Sequence, residues 1–410
     1  MKKTNSATSA KPSPAKVHLP QSPMQWVVFV LAAVVLIAMI GAIIWKTTDE
    51  DAALENAMAK TVVTCGDDFQ LSNTELNYYF WSEYFYLLSQ AGEELPESLD
   101  PTVPLDEQMY DQNQTWQDVL MEQSLTTVQH TMSLVFEAED AGFTLSDQDK
   151  GSLGQVLSNF AHYALAAGFT DENGAADLEA YLADSYGPGA SLDSFLAYLE
   201  NSYLATAYSD QLRSSLTFTD QEISDYYDLY AEDYAASGVE KDDTKLRSIR
   251  LVLIQPSAED EASWEEARAS VQTLLDTWQA ESGSEEDFAE MAKTRSAHSS
   301  AADGGLVADL APADLSEELA AWVFDGDRQP GDTEILKMDA GWAALYYVGP
   351  SERTVWQKTA EEDLRWESYQ NNLLEILSKY TFEVNREAVV IQPPTGIYDG
   401  EKADASGTND

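Results

Sequence analysis

Residues 296–310 are the stretch of this chain whose side chains are best suited to chemistry. The stretch contains His298 within a run of serines and alanines, followed by the pair Gly304-Gly305. A histidine changes charge near neutral pH and can donate or accept a proton. We therefore expect any catalytic chemistry to lie here. Two interpretations of His298 stay open: it belongs to an altered polar site, or it is an ordinary residue of a surface loop.

The rest of the sequence shows no common catalytic or metal-binding pattern. It has no P-loop, no dinucleotide-binding glycine motif, no HExxH and no GxSxG. His130 and His162 have no second metal ligand at a matching spacing. Cys65 is the only cysteine, which excludes a disulfide within the chain and a cysteine-based zinc site. We predict no metal and no cofactor.

Regular elements on both sides must hold the 296–310 stretch in place. Runs of branched and aromatic apolar residues at 246–254 and 342–348 are typical of strands. Helical patterns occupy 263–280, 285–295 and 315–324. This order of elements predicts one small α+β domain at residues 245–350.

The charge of the chain excludes nucleic acid as a partner. Its 410 residues include 23 basic and 72 acidic side chains, a net charge of −49. All 72 acidic residues and only 18 of the basic ones follow Lys46. Such a surface repels phosphate backbones, so it predicts partners of another kind, among which basic segments are favoured.

The N-terminal residues predict a membrane anchor. Residues 1–25 form a basic tail, and 26–45 are 20 apolar residues without a charge, enough to span about 30 Å as a helix. Lysines precede this run and acidic residues follow it, which places the N-terminus in the cytoplasm and the remaining chain outside the cell membrane. The alternative is a cleaved signal peptide. An acidic linker is predicted at 46–60.

The sequence pattern of residues 61–236 predicts a helical domain. A capping box at Thr219 and Glu222 marks one helix start. The aromatic residues between 78 and 86 predict either a core or a client-binding surface. A further helix and strand follow at 351–392, and 393–410 is predicted to be a disordered tail.

The central segment resembles the parvulin family of peptidyl-prolyl isomerases. The matching segments are LRSIRLVLIQ, EEDFAEMAKTRSAHSSAADGG, DLSEELAAWVF and GWAALYYVG. Two further segments, TDQEISDYYDLYAEDY and EAEDAGFTLS, are similar to extracytoplasmic foldases of the PrsA and SurA type. The resemblance covers about residues 60–392. It implies a helical chaperone-like domain completed by the C-terminal helix and strand, with the parvulin-like domain inserted.

The resemblance also implies which residues should form the isomerase site. A parvulin site surrounds the twisted X-Pro amide with two histidines, an Asp or Cys, and a Ser or Thr. Here the histidine positions fall on Arg250 and Ala343, the hydroxyl position on Ala340, and the Asp or Cys position on His298. Alanine can neither donate nor accept a side-chain hydrogen bond. The resemblance therefore implies a degenerate site.

The apolar slot of the family, which holds the proline ring, falls on Val307, Leu315 and Leu319. These three residues are either ordinary core residues or the walls of a surviving, shallower peptide groove. Together with the apolar run at 26–45, the resemblance thus predicts a membrane-anchored foldase or chaperone for unfolded or partly folded secreted proteins, with homodimerisation through the helical domain as one arrangement. The alternatives are an active isomerase with an altered site and a non-catalytic envelope scaffold.

Overall fold

The computed structural model describes residues 48–91, 95–96 and 98–398. The predicted basic tail and the predicted membrane-spanning run at 26–45 lie outside these residues. In the described ranges, none of the helices combines the length and the apolar character needed to cross a membrane.

The chain forms two compact units. The first contains the described residues up to Leu216 and resumes at Tyr369, and the second is Thr217–Ser368. The second unit is therefore an insertion in the sequence of the first.

The first unit is mainly helical, with a small sheet. Its first helix, α1, is Thr48–Met58, and its long helices are capped by Ser or Thr residues at Thr115, Ser146 and Ser191. The other elements that lie wholly in this unit are β1 (Thr61–Cys65), β2 (Phe69–Ser72), α2 (Asn73–Ala91), α3 (Trp116–Asp140), α4 (Asp147–Ala166), α5 (Leu178–Tyr186), α6 (Leu192–Ser215) and β7 (Phe382–Val384).

The sheet of the first unit joins the two ends of that unit. Its strand order is β2-β1-β7, and both pairings are antiparallel. Val63 lies opposite Leu71 on one side and Val384 on the other. The C-terminal strand therefore completes the unit that the N-terminal half begins.

The aromatic residues of α2 lie in the core of the first unit. Tyr78, Phe80, Trp81 and Tyr84 have no exposed surface, and Phe85 has almost none. Tyr78 makes edge contacts with the rings of Tyr186 and Phe195, at centroid distances of 4.9 and 5.3 Å. Of the two interpretations of this cluster, the structure supports the core.

The second unit contains a four-stranded antiparallel sheet with the strand order β4-β3-β6-β5. We call residues 245–354 the sheet domain. The elements in chain order are α7 (Asp220–Leu229), α8 (Ala231–Ala236), β3 (Lys245–Ile254), α9 (Glu261–Glu281), α10 (Glu285–Arg295), β4 (Leu306–Leu310), α11 (Glu317–Val323), β5 (Thr333–Met338), β6 (Gly341–Thr354) and α12 (Val355–Lys379). Helix α12 begins in the second unit and ends in the first.

Three segments differ from the organisation that the sequence predicted. The 46–60 linker forms α1 over most of its length, because its alanine-rich composition favours a helix. Residues 393–398 of the predicted tail pack on the first unit, where Pro394 is buried. Residues 217–236 belong to the second unit, because Tyr227 stacks on Tyr234 and both join a buried cluster with Ala360.

Candidate functional site

The two faces of the four-stranded sheet carry different side chains, because successive strand residues point to opposite sides. On one face, β3 and β6 pack against helices α9 and α10; we call it the α10 face. Its buried residues are Val252, Val271, Leu275, Trp278, Phe288, Ala292, Ala344 and Tyr346. The opposite face packs against helix α11, and we call it the α11 face. Its buried residues are Ile249, Leu251, Leu253, Leu310, Leu319, Trp322, Val323, Ala343, Leu345 and Tyr347.

The three residues at the predicted proline slot come together on the α11 face. Leu319 is 8% exposed and belongs to the buried cluster, while Val307 and Leu315 are half-buried and pack against it. Val307 lies directly opposite Ile249 in the β3–β4 pair. The structure therefore gathers these side chains into one apolar surface with a half-buried rim.

Ala343 lies on this same face and has no exposed surface. Its partners across the sheet are Leu253 and Leu336. Ala340 is exposed in the turn between β5 and β6. The position that the resemblance assigned to the second histidine is thus enclosed by aliphatic side chains.

Arg250 does not lie beside Ala343, because it is on the α10 face. Its Nε donates to Glu285 Oε1 at 2.9 Å, and its Nη1 donates to the carbonyl oxygens of Asp303 and Gly304 at 3.1 and 2.9 Å. The residues of β3 that share the α11 face with Ala343 are Ile249, Leu251 and Leu253, and Leu253 lies opposite Ala343. The two positions that the resemblance assigned to histidines, Arg250 and Ala343, therefore lie on opposite faces of the sheet.

Arg250 has a structural role in holding the 296–310 stretch. Its side chain is only 17% exposed. Replacing Arg250 by alanine leaves two carbonyl oxygens and a carboxylate without this donor, so we expect a loss of about 1–3 kcal/mol in the free energy of unfolding. Urea denaturation of the purified chain, with amide exchange followed at 299–305, measures this effect. Lys293→Ala is the control, since its surface ion pair with Glu290 spans 3.8 Å and is expected to contribute under about 1 kcal/mol. Equal losses in both variants would contradict the role of Arg250.

The 296–310 stretch runs along β3 through backbone contacts. Leu251 N donates to Gly305 O, and Ala297 N donates to Leu253 O, both at 2.9 Å. Gly304 and Gly305 have φ angles of +67° and +72°, which favour glycine. A methyl group at Gly305 would overlap the carbonyl oxygen of Leu251. The glycine pair is therefore required by the close approach of two backbones.

His298 is engaged within its own loop. Its Nδ1 accepts the backbone N–H of Ser300 at 3.2 Å and lies 2.9 Å from the Ser300 hydroxyl. This contact caps the short 3₁₀ helix Ser299–Asp303. Because a backbone N–H can only donate, Nδ1 must carry a free lone pair, and a neutral imidazole here has its proton on Nε2. The structure thus favours the loop interpretation of His298.

Two arginines and a tyrosine lie at one end of the α11 face, and sequence reasoning did not single them out. The guanidinium of Arg328 stacks over Trp322 at 4.4 Å, and that of Arg247 lies 5.7 Å from the ring of Phe324. Burial raises the pKa of Tyr347, while the nearby charges of Arg247 and Arg328 lower it. Trp322 could have been found from its spacing of three residues after Leu319, which places both on one side of a helix.

The comparison with protein families agrees with the architecture of the sheet domain. Residues 252–348 match the family model described as Rotamase: PPIC-type PPIASE domain. The sheet domain is of the parvulin type. No curated protein sequence matches the chain.

Several solved structures are similar to the chain at low identity. PrsA from Bacillus subtilis is 16% identical, with 65% of this chain and 86% of that chain covered and a TM-score of 0.32. PrsA from Bacillus anthracis is 14% identical, with 62% and 96% covered and a TM-score of 0.22. A SurA-like chaperone from Campylobacter jejuni is 10% identical, with 80% and 99% covered and a TM-score of 0.28. At these values the likeness says nothing about a shared activity.

The α11 face of the parvulin-type domain is lined mainly by apolar side chains. The buried residues that β3 and β6 contribute to the α11-face cluster are Ile249, Leu251, Leu253, Ala343, Leu345 and Tyr347. Only the tyrosine among these six can donate or accept a hydrogen bond. Catalysis of amide rotation requires groups that bind the twisted amide better than the planar one. The two strands therefore supply two hydrogen-bonding side chains to this face, Tyr347 and, at its end, Arg247.

Proposed function

We propose that this protein is a foldase or chaperone for secreted chains, in which the parvulin-type domain binds apolar, proline-containing segments without efficient isomerase activity. The observation that carries this proposal is the aliphatic setting of Ala343. The slot residues Val307, Leu315 and Leu319 keep an apolar surface, while the strands beside them lack the histidines of the family.

The proposed location is the outer side of the cell membrane. The support is the apolar run at 26–45, with lysines before it and carboxylates after it. A single anchored helix would keep the folding units close to the point where secreted chains emerge. Homodimerisation through the first unit is part of the same proposal.

The acidic surface defines the clients that would bind best. A net charge of −49 attracts basic segments and keeps complexes soluble by mutual repulsion. We expect client binding to weaken as ionic strength rises, because exposed charges are screened over about 10 Å at 0.1 M salt.

The isomerase assay separates this proposal from an altered-site enzyme. We expect a short X-Pro peptide, followed by protease-coupled cleavage, to isomerise in the presence of the full-length chain at the uncatalysed rate, over tens of seconds. The His298→Ala variant should behave identically. His162→Ala, a histidine substitution in the other unit, is the matched control. Catalysed turnover that His298→Ala abolishes and His162→Ala preserves would establish the enzyme instead.

An aggregation assay tests the client-binding part of the proposal. The full-length chain is mixed with a reduced, unfolded secreted protein, and light scattering is followed over time. If the chain slows aggregation at low salt and this suppression is partly lost at high salt, the result supports the chaperone function. A chain that neither slows aggregation nor binds the unfolded protein would be a scaffold.

A further inference from the structure

The C-terminal segment 388–392, which we call the strap, lies along one face of helix α2. Its backbone is extended at Val389, with φ −65° and ψ 130°. The side-chain amide of Asn73 binds two backbone groups of the strap. Its Oδ1 accepts the N–H of Val390 at 2.9 Å, and its Nδ2 donates to the carbonyl oxygen of Ala388 at 2.8 Å.

The next turns of α2 repeat this contact. Asn77 Oδ1 accepts the N–H of Gln392 at 2.8 Å, and its Nδ2 donates to the carbonyl oxygen of Val390 at 2.9 Å. One turn further, the indole Nε1 of Trp81 donates to the carbonyl oxygen of Gln392 at 2.8 Å. We call these three side chains of α2 the amide track.

The spacing of the track matches the repeat of an extended chain. Residues four apart on a helix advance by about 6 Å. Two residues of an extended chain advance by about 6.4–6.8 Å. The track at 73, 77 and 81 therefore meets every second residue of the strap, at 388, 390 and 392, without a change of register.

The hydrogen bonds from the track go to backbone groups of the strap and to none of its side chains. The intervening residues, Val389 and Ile391, are half-buried and pack against the hydrophobic core of the first unit. Any extended segment therefore satisfies the track if it has free N–H groups at two alternate positions and apolar side chains between them. This requirement describes an unfolded, apolar stretch of polypeptide in general.

An unoccupied amide track would be energetically unfavourable. Asn73, Asn77 and Trp81 have no exposed surface while the strap is bound. Removing the strap would leave the amide oxygens of Asn73 and Asn77 and the indole N–H of Trp81 without these partners, while the two Nδ2 groups keep their bonds to Ala57 O and Asn73 O. Buried polar groups are costly unless they are hydrogen-bonded. The strap is therefore exchanged for another extended segment more readily than it is simply lost.

We propose that the amide track is a second peptide-binding site, which takes extended apolar segments of client chains and is occupied by the strap in their absence. The proposal rests on the proposed client-binding function and adds how a client is held. As a tethered occupant, the strap competes at an effective concentration on the order of 1 mM. Clients therefore bind weakly, and release follows when the strap returns.

The experiment uses the full-length chain and a synthetic peptide with the sequence of residues 386–394, REAVVIQPP. We expect the peptide to speed amide hydrogen exchange at the strap, with a half-maximal effect on the order of 1 mM. The control peptide carries N-methyl groups at the positions of Val390 and Gln392. It keeps every side chain and removes the two N–H donors, so we expect at least about tenfold weaker binding.

Two variants complete the test. Asn77→Ala should reduce the affinity for the peptide, whereas Asn56→Ala should not, because Asn56 is exposed on α1 and bonds only within that helix. The comparison of the two peptides on the unaltered chain remains decisive if Asn77→Ala fails to fold.

The proposal is overturned if saturating peptide leaves strap exchange unchanged and N-methylation costs no affinity. If the full-length chain still suppresses aggregation in that case, the track is structural and the proposed function stands. Strap exchange that depends on protein concentration and accompanies dimer formation would assign the track to a second copy of the chain, against a client. Absence of any client binding would refute the proposed function itself.

Discussion

Replacing Gly305 by alanine is expected to destabilise the parvulin-type domain by about 3–5 kcal/mol. Gly305 has φ +72°, and its new methyl group would overlap the Leu251 carbonyl oxygen and lie 2.9 Å from the methyl group of Ala292. The left-handed backbone alone costs a residue with a Cβ about 1–2 kcal/mol. The overlap adds more, because a backbone oxygen inside a strand cannot rotate away.

Calorimetry of the full-length chain, with amide exchange followed at 246–254, measures the loss at Gly305. Gly326→Ala is the matched control, because Gly326 has no heavy atom within 4 Å of an added methyl group and its φ is not in the left-handed region. We expect this control to change the stability by less than about 1 kcal/mol. Similar transitions for the two variants would show that the 296–310 stretch is not held against β3.

Replacing Glu83 by glutamine is expected to stabilise the first unit at neutral and alkaline pH. Glu83 is 3% exposed on α2, and the hydroxyl of Thr127 donates to its Oε1 at 2.5 Å. Burial raises the pKa of the Glu83 carboxyl, and the hydrogen bond from Thr127 only partly offsets this effect. Glutamine keeps an acceptor oxygen for Thr127 and cannot ionise.

The pH dependence follows from the direction of the pKa shift. The folded chain binds this proton more tightly than the unfolded chain does. The contribution of Glu83 to stability is therefore complete below the unfolded pKa of about 4.3 and is lost as the pH rises through the folded pKa. At pH 8 we expect the free energy of unfolding of the Glu83→Gln variant to be about 1–3 kcal/mol higher than that of the unaltered chain. This difference should shrink towards pH 4.

Denaturant unfolding of both chains between pH 4 and pH 8 checks this prediction. The control is Glu139→Gln, because Glu139 is exposed on α3. The free energy of unfolding of this control should stay within about 0.5 kcal/mol of that of the unaltered chain from pH 4 to pH 8. Parallel stability curves for the Glu83→Gln variant and the unaltered chain would show that the carboxylate is solvated, contrary to the structure.

Much of the fold of the second unit could be predicted from the sequence. The strand runs, the helix at Glu285–Arg295 and the Gly304-Gly305 pair are local patterns, and the structure places each of them where those patterns indicated. The site was less predictable. A shift of one residue in a strand moves a side chain to the other face of the sheet. This is why Arg250 lies on the α10 face, while Ala343, which the resemblance assigned to the same site, lies on the α11 face.

The extent of the C-terminal tail could not be predicted without the tertiary structure. Residues 393–398 are rich in Pro, Thr and Gly, a composition typical of tails, yet the Tyr398 hydroxyl accepts the backbone N–H of Leu105 at 3.4 Å. Amino-acid composition indicates how flexible a segment would be if it were isolated from the rest of the chain. It does not record the surface that another part of the chain offers to that segment.

By itself, the sequence determined the acidic surface, the lack of common enzyme motifs, the parvulin resemblance and the alanines at two of its catalytic positions, since each of these depends only on residue identity and order. Only the tertiary structure decided what surrounds them. It enclosed Ala343 among aliphatic side chains, engaged His298 in capping its own loop, and placed Asn73 and Asn77 against a strap more than 300 residues away. The physical reason is that a hydrogen bond or a packed contact depends on distance in space, which the spacing along the chain does not reveal for residues so far apart.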